Sequence, residues 1–155
     1  MPHLHEKIDF TASAYVVHKN TVLLRKHDKF NVWLHVGGHI ELDEDPNQAV
    51  IRETKEEVGL DVSLVGHTRT FDDAKDEIEL IAPRFLNRHS AGAGHEHIDL
   101  VYFATSKTNV VSPADNHEKS SEIKWFTKEE LLDQKLEIWE RVRDYALTAL
   151  KEVGN

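Results

Sequence analysis

A chain of 155 residues with 39% hydrophobic and 30% charged side chains reads as one ordinary folded domain, able to bury roughly 70% of the surface its unfolded form exposes. Its 28 acidic side chains outnumber the 19 basic ones, for a net charge of −9, which argues against nucleic acid or an anionic membrane as a general partner. There is no cysteine, so disulfides, thiolate metal sites and cysteine nucleophiles are excluded.

The opening MPHLHEKIDF has no apolar leader stretch, and nowhere do about 18 apolar residues run together. The expectation is a cytoplasmic protein. Residues 10–17 are rich in aromatic and β-branched side chains and read as a strand, Lys19–Asn20 as a turn, and TVLLRK, residues 21–26, as the returning strand. NVWLHVGGHIEL follows as short β-prone pieces broken at Gly37–Gly38.

Helix signals begin at Asp45. Asp45 suits the N-cap, Pro46 the first helical position, and Gln48 the capping-box partner, while Gly59 suits the left-handed residue that ends a helix. The spacing predicts a helix from Pro46 to Val58. Further strands are expected at 61–70, 78–87, 98–105 and 122–126. Leu136, Trp139, Val142, Ala146, Ala149 and Val153 form the stripe of an amphipathic C-terminal helix, with Trp139 in the core. Two connections, 88–96 and 106–121, read as long loops, and loops of that length are often functional. Strands flanked by an early and a late helix indicate an α/β layered fold around a mixed sheet.

The chemistry concentrates in GHIELDEDPNQAVIRETKEEVGL, residues 38–60. Glu53, Glu56 and Glu57 lie within one turn on one helix face. Two charges about 5 Å apart repel by roughly 3 kcal/mol at an effective dielectric of about 20. Arg52, four residues before Glu56, offsets part of this; a hard divalent cation would offset more. Magnesium takes oxygen ligands and sits between carboxylates and substrate phosphates. Metal-assisted hydrolysis of a phosphoanhydride follows as one reading, a solvated acidic helix face as the other.

The spacing resembles the Nudix box, G-x5-E-x7-R-E-U-x-E-E-x-G-U with U aliphatic. Gly38, Glu44, Arg52, Glu53, Glu56, Glu57 and Gly59 fill the fixed positions, Leu60 fills the last aliphatic one, and Thr54 departs by replacing an aliphatic residue. TVLLRK and VWLHVGG look like the family's approach to the box, and SSEIKWFTKEEL like its entry to the closing helices. The resemblance implies one Nudix domain over residues 1–155 and an α/β/α sandwich. It implies Glu56 and Glu57 as principal metal ligands, and Glu53 as a further ligand or the general base. Arg52 becomes an orienting partner, Glu44 a structural or outer-shell residue, and the carbonyl of Gly37 or Gly38 a backbone ligand. Glu118 is the candidate for a loop carboxylate completing the site, beside its reading as an exposed loop residue. The implied cofactor is Mg2+, with Mn2+ as an alternative.

His95 and His97 alternate along a strand and face one side. They are read as substrate-facing, as a zinc pair lacking a third ligand, or as a plain surface pair. His39 adjoins the catalytic loop and is a candidate to meet phosphate. Arg84, with Arg25 and Arg69, is a candidate phosphate clamp. Trp33 and Trp125 read as core or rim. The function implied is metal-dependent cleavage of a phosphoanhydride bond in a nucleoside triphosphate, or in a nucleoside diphosphate linked to another group. A nucleotide-binding sensor without turnover is the alternative, and would be expected to lose box glutamates that are present here. An isomerase on the same scaffold would want a cysteine. A small-molecule nucleotide derivative is the partner, and a homodimer is left open.

Overall fold

The computed structural model describes residues 7–114 and 122–155. Its frame is two long strands, β1 (Ile8–His18) and β7 (His95–Ser106), which run parallel with Asp9 opposite His97 and Val17 opposite Thr105. Each divides its other edge between two short antiparallel strands. On β1 these are β4 (Val36–His39) and, further along, β2 (Thr21–His27). On β7 they are β6 (Phe85–Gly92) and β5 (Val62–Leu64). β3 (Val32–Leu34) and β8 (Ile123–Phe126) extend the sheet from β2.

Side chains alternate across a strand, and here they supply two cores. Ala12, Ala14, Val16, Tyr102 and Ala104 face α1 (Pro46–Val58), where Ala49, Val50 and Val58 meet them. Tyr15, Val17, Val101 and Phe103 face α3 (Glu140–Val153), where Val142, Ala146 and Ala149 meet them. The result is a mixed sheet between helices, the α/β/α sandwich expected. The short α2 (Lys128–Leu131) starts with a capping box between Thr127 and Glu130.

α1 has the ends its sequence dictates. Asp45 accepts from the Gln48 amide at 2.9 Å, the Gln48 side chain accepts from the Asp45 amide at 2.9 Å, and Gly59 closes the helix with φ 75°. A side chain at Gly59 would also run into the Ser112 backbone. Thr54, at the aliphatic position of the box, is fully buried and donates its hydroxyl to the Val50 carbonyl at 2.7 Å. The helix thus absorbs the polar atom internally.

Three expectations need correction. Residues 65–84 hold no strand: the run is rich in exposed charged residues from Asp72 to Glu79, and it is pinned to α1 by two bonds between Asn47 and Ile81. Residues 88–96 are not a long loop: they are the end of β6 and the start of β7, joined by a tight turn at Ala93–Gly94 that Gly92 and Gly94 allow with positive φ of 131° and 72°. Trp139 is 44% exposed, outside the core. α3 begins only after it, since the preceding chain bonds to β3 through Trp33 N and the Glu137 carbonyl. Trp33 is a core residue and Trp125 packs beside the core.

Candidate active site

α1 and the end of β4 build the acidic site. Gly38 lets β4 pass close to the helix. The Gly37 amide donates to Glu57 Oε2 at 3.0 Å, and a Cβ at Gly38 would stand 2.5 Å from Glu53 Oε1. The second glycine therefore makes room for the Glu53 carboxylate, which belongs to a residue only 8% exposed. Gly37 has φ 145°, and a Cβ there would collide with the Ala12 carbonyl on β1.

Arg52 is the hub of this cluster. Its Nη1 donates to Glu53 Oε1 at 2.9 Å and to Glu56 Oε2 at 3.0 Å. Its Nη2 and Nε grip Glu44 at 2.6 and 3.0 Å, and Nη2 also reaches the His39 carbonyl at 3.2 Å. These bonds hold the guanidinium more firmly protonated than usual, the Glu44 contact first. In return Arg52 pulls the Glu44 carboxyl below its ordinary range. Glu57 is paired with Arg25 of β2 at 3.0 Å. One cation thus orients Glu53 and Glu56 while a second orients Glu57. An ionised carboxylate has about four lone-pair sites, so such bonds aim it without exhausting it.

A second feature lies on the opposite face of the sheet from α1. A small pocket of about 150 Å³ is lined by Gly37, Gly38, Thr11, Ser13, Asp99 and four histidines, His35, His39, His89 and His97. Asp99 is 2% exposed and accepts from Ser13 Oγ at 2.6 and 2.8 Å and from Thr11 Oγ1 at 3.0 Å. Burial, then neighbouring His39, His89 and His95, lowers the pKa of His97. Burial, then Arg141, lowers that of His89.

Of the residues singled out in the sequence, Arg52, Glu53, Glu56, Glu57, Gly38 and Glu44 come together. His39 and His97 reach the pocket, and His95 stands beside them, its ring 5.3 Å from that of His97. Arg84 stands apart from this cluster: it pairs with Glu152 of α3 at 2.7 Å and lies over the Phe85 ring. Arg69 pairs with Glu79 in the 65–84 excursion. Glu118 falls outside the described residues. Sequence reading misses Asp9, Thr11, Ser13, His35, His89 and Asp99. The one available signal is polar residues at every second position of β1, where Thr11 and Ser13 alternate with Ala12 and Ala14. Among the described residues no helix is long and apolar enough to cross a membrane.

The model of the NUDIX domain matches residues 9–147. No curated protein sequence matches the chain. Among solved structures, a NUDIX-family hydrolase from Clostridium perfringens is similar with TM-score 0.81 and 37% identity, over 92% of this chain and 96% of that one. A MutT NUDIX hydrolase from Burkholderia pseudomallei has TM-score 0.63 and 22% identity, over 96% and 99%. An ADP-ribose pyrophosphatase from Streptococcus suis has TM-score 0.57 and 18% identity, over 92% and 90%. The last two share the fold alone. With a family match spanning most of the chain and a glutamate cluster assembled around Arg52, the protein belongs to the Nudix family and is one of its pyrophosphate-bond hydrolases.

Proposed function

We propose that the protein is a magnesium-dependent pyrophosphohydrolase, with manganese able to substitute. Its substrate would be a nucleoside triphosphate or a nucleoside diphosphate linked to another group. The observation that carries this reading is the gathering of Glu53, Glu56 and Glu57 on one turn of α1 beside Gly37 and Gly38. The donor set fits a hard cation: three carboxylates, to which the carbonyl of Gly37 or Gly38 would add a further oxygen. Bound magnesium would neutralise phosphoryl oxygens and lower the pKa of an attacking water.

The chain's own residues supply the rest. Arg52 and Arg25 keep the carboxylates aimed and limit their mutual repulsion. Glu118 would be the additional carboxylate. In support, the chain approaches that segment along α1, with Ser112 N donating to the Val58 carbonyl at 2.9 Å and Ala114 N to the Glu56 carbonyl at 3.0 Å. The pocket across β4 would receive the organic part of the substrate, with His39 and His97 at its mouth and Ser13 and Asp99 at its floor.

A nucleotide panel with Mg2+ or Mn2+ should release phosphate or a nucleoside monophosphate. Glu56→Gln and Glu57→Gln should each reduce release to background while thermal melting stays cooperative. Wild-type turnover by either variant would discard the mechanism. Tight nucleotide binding by the wild type without hydrolysis over hours would instead favour a sensor.

A further inference from the structure

Asp9, His39, His95 and His97 each direct one ligand atom into a common space, and these atoms all lie within 4.8 Å of one another. Three strands bring them there. Asp9 is paired opposite His97 across the parallel β1–β7 ladder, and His39 is opposite Thr11 across β1–β4. His95 shares the face of His97 by alternation. Their backbones are therefore held in place by sheet hydrogen bonds, with no loop among them.

We infer that this cluster is a second metal site, a three-histidine, one-carboxylate centre for Zn2+, distinct from the carboxylate site on α1. A tetrahedral zinc ion with bonds of about 2.0 Å holds its ligand atoms about 3.3 Å apart. Asp9 Oδ2 already stands 3.0 Å from His95 Nε2 and 3.4 Å from His39 Nε2. The remaining separations need to close by at most about 1.5 Å, within the reach of side-chain rotation at a partly exposed rim. Imidazole nitrogens suit zinc, whereas the all-oxygen set on α1 suits magnesium. The two sites are also separated by the sheet: Gly38 turns toward Glu53 and α1, while the His39 ring turns to the opposite face.

The site is closed by protein ligands, the pattern of a structural centre. It would clamp the start of β1 to the end of β4 and the head of β7. Two of its ligands, His39 and His97, also border the pocket, so occupancy would set the shape of the pocket mouth. This inference does not rest on the proposed reaction.

The test is Zn2+ added to the full chain, without nucleotide and in a large excess of Mg2+, followed by calorimetry and by metal analysis after dialysis. Cobalt substitution gives a spectroscopic readout of tetrahedral geometry. One equivalent of zinc should be retained, melting should shift upward, and the cobalt form should show intense visible bands. His97→Ala should abolish the retained equivalent, and Asp9→Asn should weaken binding at least tenfold. Glu56→Gln should leave it unchanged. Should His97→Ala fail to fold, His95→Ala serves in its place. Zinc retention that survives the histidine variants, or that disappears in Glu56→Gln, overturns the assignment, as does failure of the wild type to retain zinc. Loss of hydrolysis with zinc binding intact would strike only the proposed reaction.

Discussion

Arg52 and Glu44 are joined by two hydrogen bonds, Nη2 to Oε1 at 2.6 Å and Nε to Oε2 at 3.0 Å. The pair ties the loop before α1 to the same guanidinium that holds Glu53 and Glu56. A fork-to-carboxylate contact fixes the plane of the guanidinium as well as its position. Glu44 therefore acts on the Glu53 and Glu56 carboxylates through Arg52. Glu44→Gln should lower activity by roughly 10–100-fold, the range for residues that orient metal ligands, and should raise the magnesium concentration needed for half-maximal rate. A magnesium titration of initial rates checks this. An unchanged titration curve would leave Glu44 a local tie only.

Gly38 is required by space. A methyl group there would meet all of the Glu53 carboxylate, 2.5 Å from Oε1 and 2.9 Å from Oε2. Gly38→Ala should displace that side chain and cost at least about tenfold in kcat, while the far-ultraviolet dichroism stays native. Full activity in a folded Gly38→Ala protein would show that the Glu53 position is dispensable.

Tyr15 is wholly buried in the α3-side core, edge-on to Phe103 and Tyr145 with ring separations of 6.5 and 5.9 Å. Its hydroxyl has no hydrogen-bond partner among the described residues, and burial pushes its pKa up. A buried hydroxyl without a partner costs about 1–3 kcal/mol. Tyr15→Phe should therefore stabilise the fold by about 1 kcal/mol in denaturant unfolding. A loss of stability of that size would reveal a partner for the hydroxyl.

His35 gives stability a pH dependence. Burial lowers its pKa, with Arg25 and Arg141 acting the same way, while Asp99 and the bond to the Val36 carbonyl oppose them. The unfolded chain takes up the proton near pH 6.5, but the folded chain resists it. Stability should then fall as pH drops from about 7 through 6.5 toward the folded value, and should be regained on raising the pH. His89 and His97 contribute with the same sign. His35→Gln should reduce the difference in melting temperature between pH 7.5 and pH 5.5. An undiminished difference would assign the effect to the other histidines.

Local rules make much of this protein legible in its sequence. The ends of α1 follow from Asp45, Pro46, Gln48 and Gly59, because caps and helix-ending glycines act over a few residues. The grouping of Glu53, Glu56 and Glu57 follows from helix periodicity, and so does the reach of Arg52 to Glu56. Residues 65–84 escape such rules. Their scattered apolar side chains resemble strands, whereas their placement depends on Asn47 bonding to Ile81 from another element.

Tertiary structure alone decides what lies across the sheet. Asp9 meets His95 and His39, Ser13 meets Asp99, Arg25 meets Glu57 and Arg84 meets Glu152 only because strand register and helix docking bring distant residues together. The composition shows many histidines, and alternation shows that His95 and His97 share a face. Neither can reveal that Asp9 and His39 complete the group. Pairing between strands is set by the summed packing of both cores, a property of the whole chain that no short window of residues contains.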